Sequence, residues 1–338
     1  MENKAQNRII LFANNIQITN IEFNRQNILT RQLAALLYAQ ADKIIDCEAI
    51  RQCHNMIIQN TTRFSDFRKN MTLCISTLLA LSPNPQEMLD KTLEVYNMLI
   101  YVGLHFSDFL VIAAYHIASQ ADPSEYDNVV NRTRYFYDKM NFSHSFYTGE
   151  DDYIFAAMLG LTDLNFSSVS ERMETIYNRF KGEFCNKNSI QTLAQVLVLG
   201  NSDDNAEGRV LALRDAFKKQ KIRLDKACTL SSLGILALLP ADIEKIVRDI
   251  REVQIVLQVQ DEFWSTSVTT QEILLFVAYI LASEYSQELK GGILTATILT
   301  SINNIIIAQK AYALAAIPGS AVTTKVLSIV KYIKGILG

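Results

Sequence analysis

The sequence predicts an all-α protein, an array of about seven helical hairpins in solenoid-like order with a period near forty residues. The rival arrangement is an irregular helical bundle. Three observations carry this. A short apolar patch recurs: LLYAQ from Leu36, TLLALS from Thr77, YHIASQ from Tyr115, MLGLTD from Met158, VLVLGN from Val196, ILALLP from Ile235 and YILASE from Tyr279. The starts differ by 41, 38, 43, 38, 39 and 44 residues, inside the range of two-helix repeats. Four times a cap residue is followed three places later by glutamate: Asn84 with Glu87, Asp122 with Glu125, Ser168 with Glu171, and Asp204 with Glu207. Such a pair satisfies orphan N–H groups at a helix start. Glycine (12) and proline (5) are scarce, and Pro83, Pro85, Pro123 and Pro240 all lie in the corners. No stretch alternates with period two, so almost no sheet is expected.

Residues 1–30 lie outside the repeat and are expected to cap it, with the hairpins spanning 31–290. In each unit a short apolar helix is followed by a longer amphipathic one. Met173, Ile176, Tyr177, Phe180 and Phe184 make one such face, and Ile243, Ile246, Val247, Ile250 and Leu257 another; both follow the 3.6-residue period. Residues 291–338 differ. They carry Lys310, Lys325, Lys331 and Lys334 and no acid, so formal charge divides into −7 over 1–290 and +4 over 291–338. Gly291-Gly292 marks the break.

Composition excludes several functions. A net charge of −3 leaves no basic footprint for nucleic acid. Five scattered cysteines without a CxxC pair read as reduced thiols. The opening MENKAQNRIILFANN has too short an apolar run for an export signal, so a cytoplasmic location is expected. His54, His105, His116 and His144 lack metal-ligand spacing. No nucleophile motif, phosphate loop or dinucleotide fingerprint occurs, and neither metal nor cofactor is expected.

The densest carboxylates are Glu150, Asp151 and Asp152, followed by Tyr153, in TGEDDY. They suit cation binding or an acid–base pair. The plainer reading is that Thr148 caps a helix and acids crowd its first turn, with consecutive side chains diverging. Asp203-Asp204 reads as capping. In the run Tyr135-Phe136-Tyr137 at least one ring must be exposed or interfacial. Trp264 sits in the long link before the seventh unit, as an anchor for that link or for a partner. Lys310 and three amides interrupt residues 293–316, which disfavours a membrane span and suits a buried pair of terminal helices. In VTTKVLSIVKYIKGILG, Val322, Val326, Ile329, Val330, Ile333 and Leu337 form one face, while Lys325, Lys331 and Lys334 fall largely off it. That pattern suits packing on the array's end, a partner's groove or an anionic membrane surface.

At TGEDDYIFAAMLGL (148–161) and NSIQTLAQVLVLGN (188–201) the chain resembles an uncharacterised family of cytosolic proteins of Gram-positive bacteria, about 330 residues long. The resemblance implies a cytosolic protein and carries no functional residue. Three readings follow. The first is a non-catalytic scaffold whose helical surface binds another protein. The second is a helical enzyme or small-molecule or metal binder at Glu150–Asp152. The third is membrane-surface association through the C-terminal helix. A protein partner is favoured over a membrane, and no reaction is specified.

Overall fold

The computed structural model describes residues 3–144, 148–200, 205–258, 269–285 and 292–315. These form fifteen α-helices and no strand among the described residues. They come as seven antiparallel pairs: α1 (Asn3–Glu22) with α2 (Ile28–Gln40), α3 (Cys47–Asn60) with α4 (Thr72–Leu81), α5 (Pro85–Tyr101) with α6 (Asp108–Gln120), and α7 (Tyr126–His144) with α8 (Tyr153–Gly160). The series continues with α9 (Phe166–Phe180) and α10 (Lys187–Leu199), α11 (Ala206–Lys219) and α12 (Leu230–Ala237), and α13 (Ile243–Gln258) and α14 (Thr270–Tyr285). A last helix, α15, spans Ile293–Ala315.

Sequence pattern decides which helix lies inside. In α8 every residue of YIFAAMLG is buried, and α12 is buried throughout. A helix apolar on all sides needs neighbours all round. The odd-numbered helices α1 to α13 bury one stripe, as with Val169, Met173, Ile176 and Phe180 of α9, and lie outside. Each fully buried leucine or isoleucine contributes roughly 1.5–3 kcal/mol, and one apolar core joins all the pairs.

The closest pairing differs from the expected one. Each amphipathic helix packs more extensively on the apolar helix that follows it, α5 on α6 and α1 on α2 above all, than on the apolar helix before it. The first helices to satisfy this are α1 and α2. The inner helices begin unevenly, at residues 28, 72, 108, 153, 187, 230 and 270.

The array closes on itself. Helix α14 packs on both α1 and α2. Phe12 meets Phe276 with ring centroids 5.9 Å apart, and the Arg8 guanidinium donates to Glu284 at 2.8 Å and to Asp42 at 2.8 Å. The seven inner helices thus form a ring. Helix α15 fills it, packing against α2, α6, α8, α10, α12 and α14. It runs antiparallel to them: Gly292 lies beside Gln120 at the end of α6, Thr295 bonds Tyr279 at 3.2 Å, Ser301 bonds Ser231 at 3.3 Å, and Gln309 donates to Glu272 in the first turn of α14 at 3.2 Å. Gly292 has φ +99°, a conformation that glycine adopts without penalty. The single helix α15 stands where a pair of terminal helices was expected.

The corners confirm part of the capping pattern and correct part. Asn84 accepts from the Glu87 N–H at 3.4 Å and donates to the Glu87 carboxylate at 3.0 Å. Asp122 caps the 3-10 turn at 123–125 through the Ser124 N–H at 2.9 Å. Ser168 is not a cap: α9 starts two residues earlier, with Asn165 accepting from the Ser167 N–H at 2.8 Å. Glu207 pairs with Arg172 at 2.9 Å. Asp203 and Asp204 lie outside the described residues.

A second corner device repeats. Arg132 of α7 donates to the carbonyls of Gly160, Thr162 and Leu164 at 3.1, 2.6 and 3.0 Å. Arg209 of α11 does the same to Ala237, Leu239 and Ala241 at 2.9, 2.9 and 2.8 Å. Each guanidinium satisfies orphan carbonyls at the end of the following inner helix, where the macrodipole also favours a cation.

Candidate functional site

All the inner helices start at one rim of the ring, where the acidic cluster lies. The fourth junction ends in a 3-10 turn at 150–152 whose first N–H groups need acceptors. Gly149, not Thr148, is the cap residue, and Asp152 accepts from the Gly149 N–H at 2.9 Å. Thr148 instead accepts from the Gln191 amide at 3.2 Å. The three carboxylates do diverge, as consecutive residues must. Glu150 is exposed, Asp151 is half-buried and Asp152 is only 3% exposed. The two aspartates point to opposite sides of the wall between α8 and α10.

Asp151 faces α15 and the start of α10. It accepts from Asn188 at 3.2 Å and from Asn304 of α15. Beside them is a cavity of about 30 Å³ lined by Asn188, Ser189, Thr192, Ser231, Thr300 and Ser301, room for a water or two. Asp152 faces outward into the seam between α7, α8, α9 and α10. Its Oδ1 accepts from Gln191 at 3.2 Å and from Gln195 at 2.5 Å. Both glutamines come from α10, one turn apart. Each is buried, and among the described residues the carbonyl oxygen of each has no hydrogen-bond partner. A buried acceptor left unmet costs roughly 1–3 kcal/mol. Burial, and then the neighbouring Asp151 charge, pushes the Asp152 carboxyl up to about 8. Burial raises Asp151 as well.

Along the inner wall α8 and α10 approach each other less extensively than α6 and α8 or α10 and α12 do. In front of Gln191 lies a crevice of about 20 Å³, lined also by Phe136, Lys139, Met140, Leu159, Phe166, Met173 and Glu174; Asp152 and Gln195 do not line it and join it only through Gln191 and their shared hydrogen bonds. The aromatic run divides here. Phe136 is buried, Tyr137 is half-buried with its ring 4.7 Å from Tyr153, and Tyr135 is 49% exposed. Tyr135 and Phe166 meet edge to face at 5.1 Å, and the Lys139 ammonium lies 5.6 and 5.7 Å from their centroids. An apolar, aromatic crevice with a few convergent polar groups and one displaced pKa is the usual form of a small-ligand site.

Tyr153 is not in the crevice. It is fully buried, and its hydroxyl accepts from the His105 N–H at 3.1 Å. It locks the third junction onto the fourth. Trp264, Lys325, Lys331 and Lys334 lie outside the described residues. Gln191, Gln195, Asn188 and Asn304 were missed from the sequence. Two glutamines one turn apart in an otherwise apolar helix, NSIQTLAQVLVL, were the available signal. No group of three or more His, Cys, Asp or Glu arranged for a metal occurs among the described residues.

Residues 16–311 match the family model described as protein of unknown function, DUF4003. The chain belongs to that family. The match covers most of the ring, including the seam and its glutamines. No curated protein and no solved structure matches, so the family membership supplies no residue roles. Among the described residues no helix is long and apolar enough to cross a membrane.

Proposed function

We propose that the protein is a non-catalytic binding protein whose seam crevice takes a small ligand with an apolar body and a hydrogen-bond-donating, cationic head. The observation that carries this reading is the buried Asp152 carboxyl between Gln191 and Gln195, whose carbonyl oxygens have no partner among the described residues. Three acceptors, Gln191 in the crevice wall and Asp152 and Gln195 directly behind it, match an amine, which donates and carries charge. The bound cation would also draw the proton from Asp152, since an opposite charge within a few ångströms favours the carboxylate. At about 20 Å³ the crevice holds a water; a ligand enters by displacing the flexible Met140 and Met173 side chains along the sparsely packed seam.

Binding is favoured over catalysis by the state of two buried groups elsewhere in the ring. Burial raises the Cys228 thiol to about 12 and lowers His116 to about 4, so neither is poised as nucleophile or base near neutrality. Packing of α14 on α1 and α2 removes the open end-to-end groove that a protein scaffold of the solenoid type presents. Five unpaired cysteines fit a reducing compartment such as the cytoplasm.

The test compares 2-phenylethylamine with 3-phenylpropionate by calorimetry and by amide NMR shifts. The amine should bind with proton release and shift α7–α10 resonances, and Gln195→Leu and the crevice-filling Ser170→Trp should each weaken it at least tenfold. Equal binding of amine and acid, or binding indifferent to both substitutions, refutes the reading.

A further inference from the structure

An amine held in the seam crevice leaves one charge of the crevice wall unanswered. Lys139 lines the crevice together with Gln191 and is half-buried. Its ammonium lies 5.6 Å from the Tyr135 ring centroid and 5.7 Å from that of Phe166. Ring faces attract a cation and hold it in place, but they do not neutralise it. The acids beside Lys139 in the chain and in the crevice are engaged elsewhere. Asp138 bonds Arg134 at 2.7 Å, and Glu174, contributed to the crevice by α9, accepts from Asn178 at 3.2 Å. No acid pairs with Lys139 among the described residues. The stretch from Asn141 to Thr148, which leads on to the acidic cluster, contains no acid at all.

The two charges that bear on a ligand sit at different depths. Asp152 is 3% exposed and stands behind Gln191. Lys139 lies over Tyr135, which is 49% exposed, and so marks the mouth. Between them the wall is apolar, made by Phe136, Met140, Leu159, Val169 and Met173. A ligand that is only a cation on an apolar body is drawn inward by Asp152 and opposed by Lys139. A ligand with an anion at its outer end meets an opposite charge at both places.

We propose that the ligand is an ω-amino acid: an apolar body with an ammonium at one end for Asp152 and the two glutamines, and a carboxylate at the other for Lys139. This rests on the amine reading of the seam and assigns the second end of the same ligand. The carboxylate and the Lys139 ammonium form a charge-assisted contact, and the Tyr135 and Phe166 rings hold the ammonium ready for it. Glu174 limits the outer end to a single charge. A phosphate monoester carries about −1.5 to −2, and its second charge would meet Glu174 with no second cation in the crevice lining. Lys139 is thus the residue that selects ω-amino acids over simple amines.

Calorimetry on the full chain with three probes of one shape separates the two ends: 2-phenylethylamine, 2-(4-nitrophenyl)ethylamine and 4-(2-aminoethyl)benzoate. The nitro group matches the carboxylate in shape and carries no net charge. The benzoate should bind at least about tenfold more tightly than the nitro compound, and added salt should narrow the gap. Lys139→Met keeps an unbranched stem against the two rings and should bring the two probes within about twofold of each other. The variant should still bind 2-phenylethylamine, which shows that it is folded. A benzoate no tighter than the nitro compound on the parent chain overturns the proposal while leaving the amine reading intact, and that comparison needs no variant. A gap that survives in Lys139→Met also overturns it, because another group then holds the carboxylate. A parent chain that binds none of the three probes refutes the amine reading and this proposal with it.

Discussion

Replacing Asp152 with asparagine should reverse its effect on stability as pH rises. The native Asp152 carboxyl keeps its proton up to about pH 8, whereas the ordinary aspartate value is 3.8. Between these values the folded chain holds a proton that the unfolded chain has released, so stability falls with rising pH. The slope is about 1.4 kcal/mol per pH unit for one proton. From pH 5 to 7.5 that removes about 3 kcal/mol. Asp151 is also raised, so the loss belongs to the coupled pair rather than to one carboxyl. The Asp152→Asn protein would escape the part that Asp152 carries, while Asp151 stays raised by burial. The introduced carbonyl can accept from the Gly149 N–H as the Asp152 carboxyl does, and the introduced amide can donate to the unpartnered carbonyl oxygen of Gln191 or Gln195. Urea unfolding of both proteins at pH 5 and 7.5 measures the difference. Asp152→Asn should lie within about 1 kcal/mol of the parent at pH 5 and be about 3 kcal/mol more stable at pH 7.5. A variant-minus-parent difference that does not change with pH refutes the reasoning, as does a variant less stable than the parent at pH 7.5.

Two further outcomes are expected. Arg209→Ala leaves the carbonyls of Ala237, Leu239 and Ala241 without their cation and should cost about 2–3 kcal/mol. Lysine should restore only part, lacking the planar fork; a loss under roughly 0.5 kcal/mol by thermal or urea unfolding would show that water replaces the guanidinium without penalty. Of the five thiols, Cys185 is exposed, Cys53 and Cys74 are buried, Cys47 is half-buried with its thiol raised by burial, and Cys228 is pushed up to about 12. A thiol reagent at pH 8 should therefore modify one cysteine quickly, and Cys185→Ser should abolish that phase; a fast phase that persists in the variant counts against the burial of the others.

The helices and their inside–outside assignment were legible because both rest on local pattern. Apolar runs such as YIFAAMLG mark helices surrounded by neighbours, and stripes such as Val169, Met173, Ile176 and Phe180 mark helices with one covered face. The caps were legible only where the motif was unambiguous. Asn165 and Ser168 both suit a helix start, and the choice between them depends on where Phe166 packs, against Phe136 and Tyr135. The arginine device was written in the sequence as a spacing of 28 residues, from Arg132 to Gly160 and from Arg209 to Ala237, and a search for cap–glutamate pairs passes over it. Ring closure was out of reach, since nothing local to Arg8 points to Glu284. At the site, the acids were found from their density, but their roles were not. Which aspartate turns inward depends on amides contributed by α10 and α15, 37 to 153 residues away.

A ring joined by its first and last hairpins cannot be finished until nearly all of it has been made. The clasp between Arg8 and Glu284 spans 276 residues. At roughly 5–20 residues per second, the edge of α2 that α14 will cover stays bare for tens of seconds during synthesis, and the lumen stays without α15 for longer still. Early hairpins can fold against one another, but the assembly remains an open arc with an apolar inner face. That interval, rather than the finished molecule, is when the chain is most exposed to aggregation and has the most to gain from a chaperone.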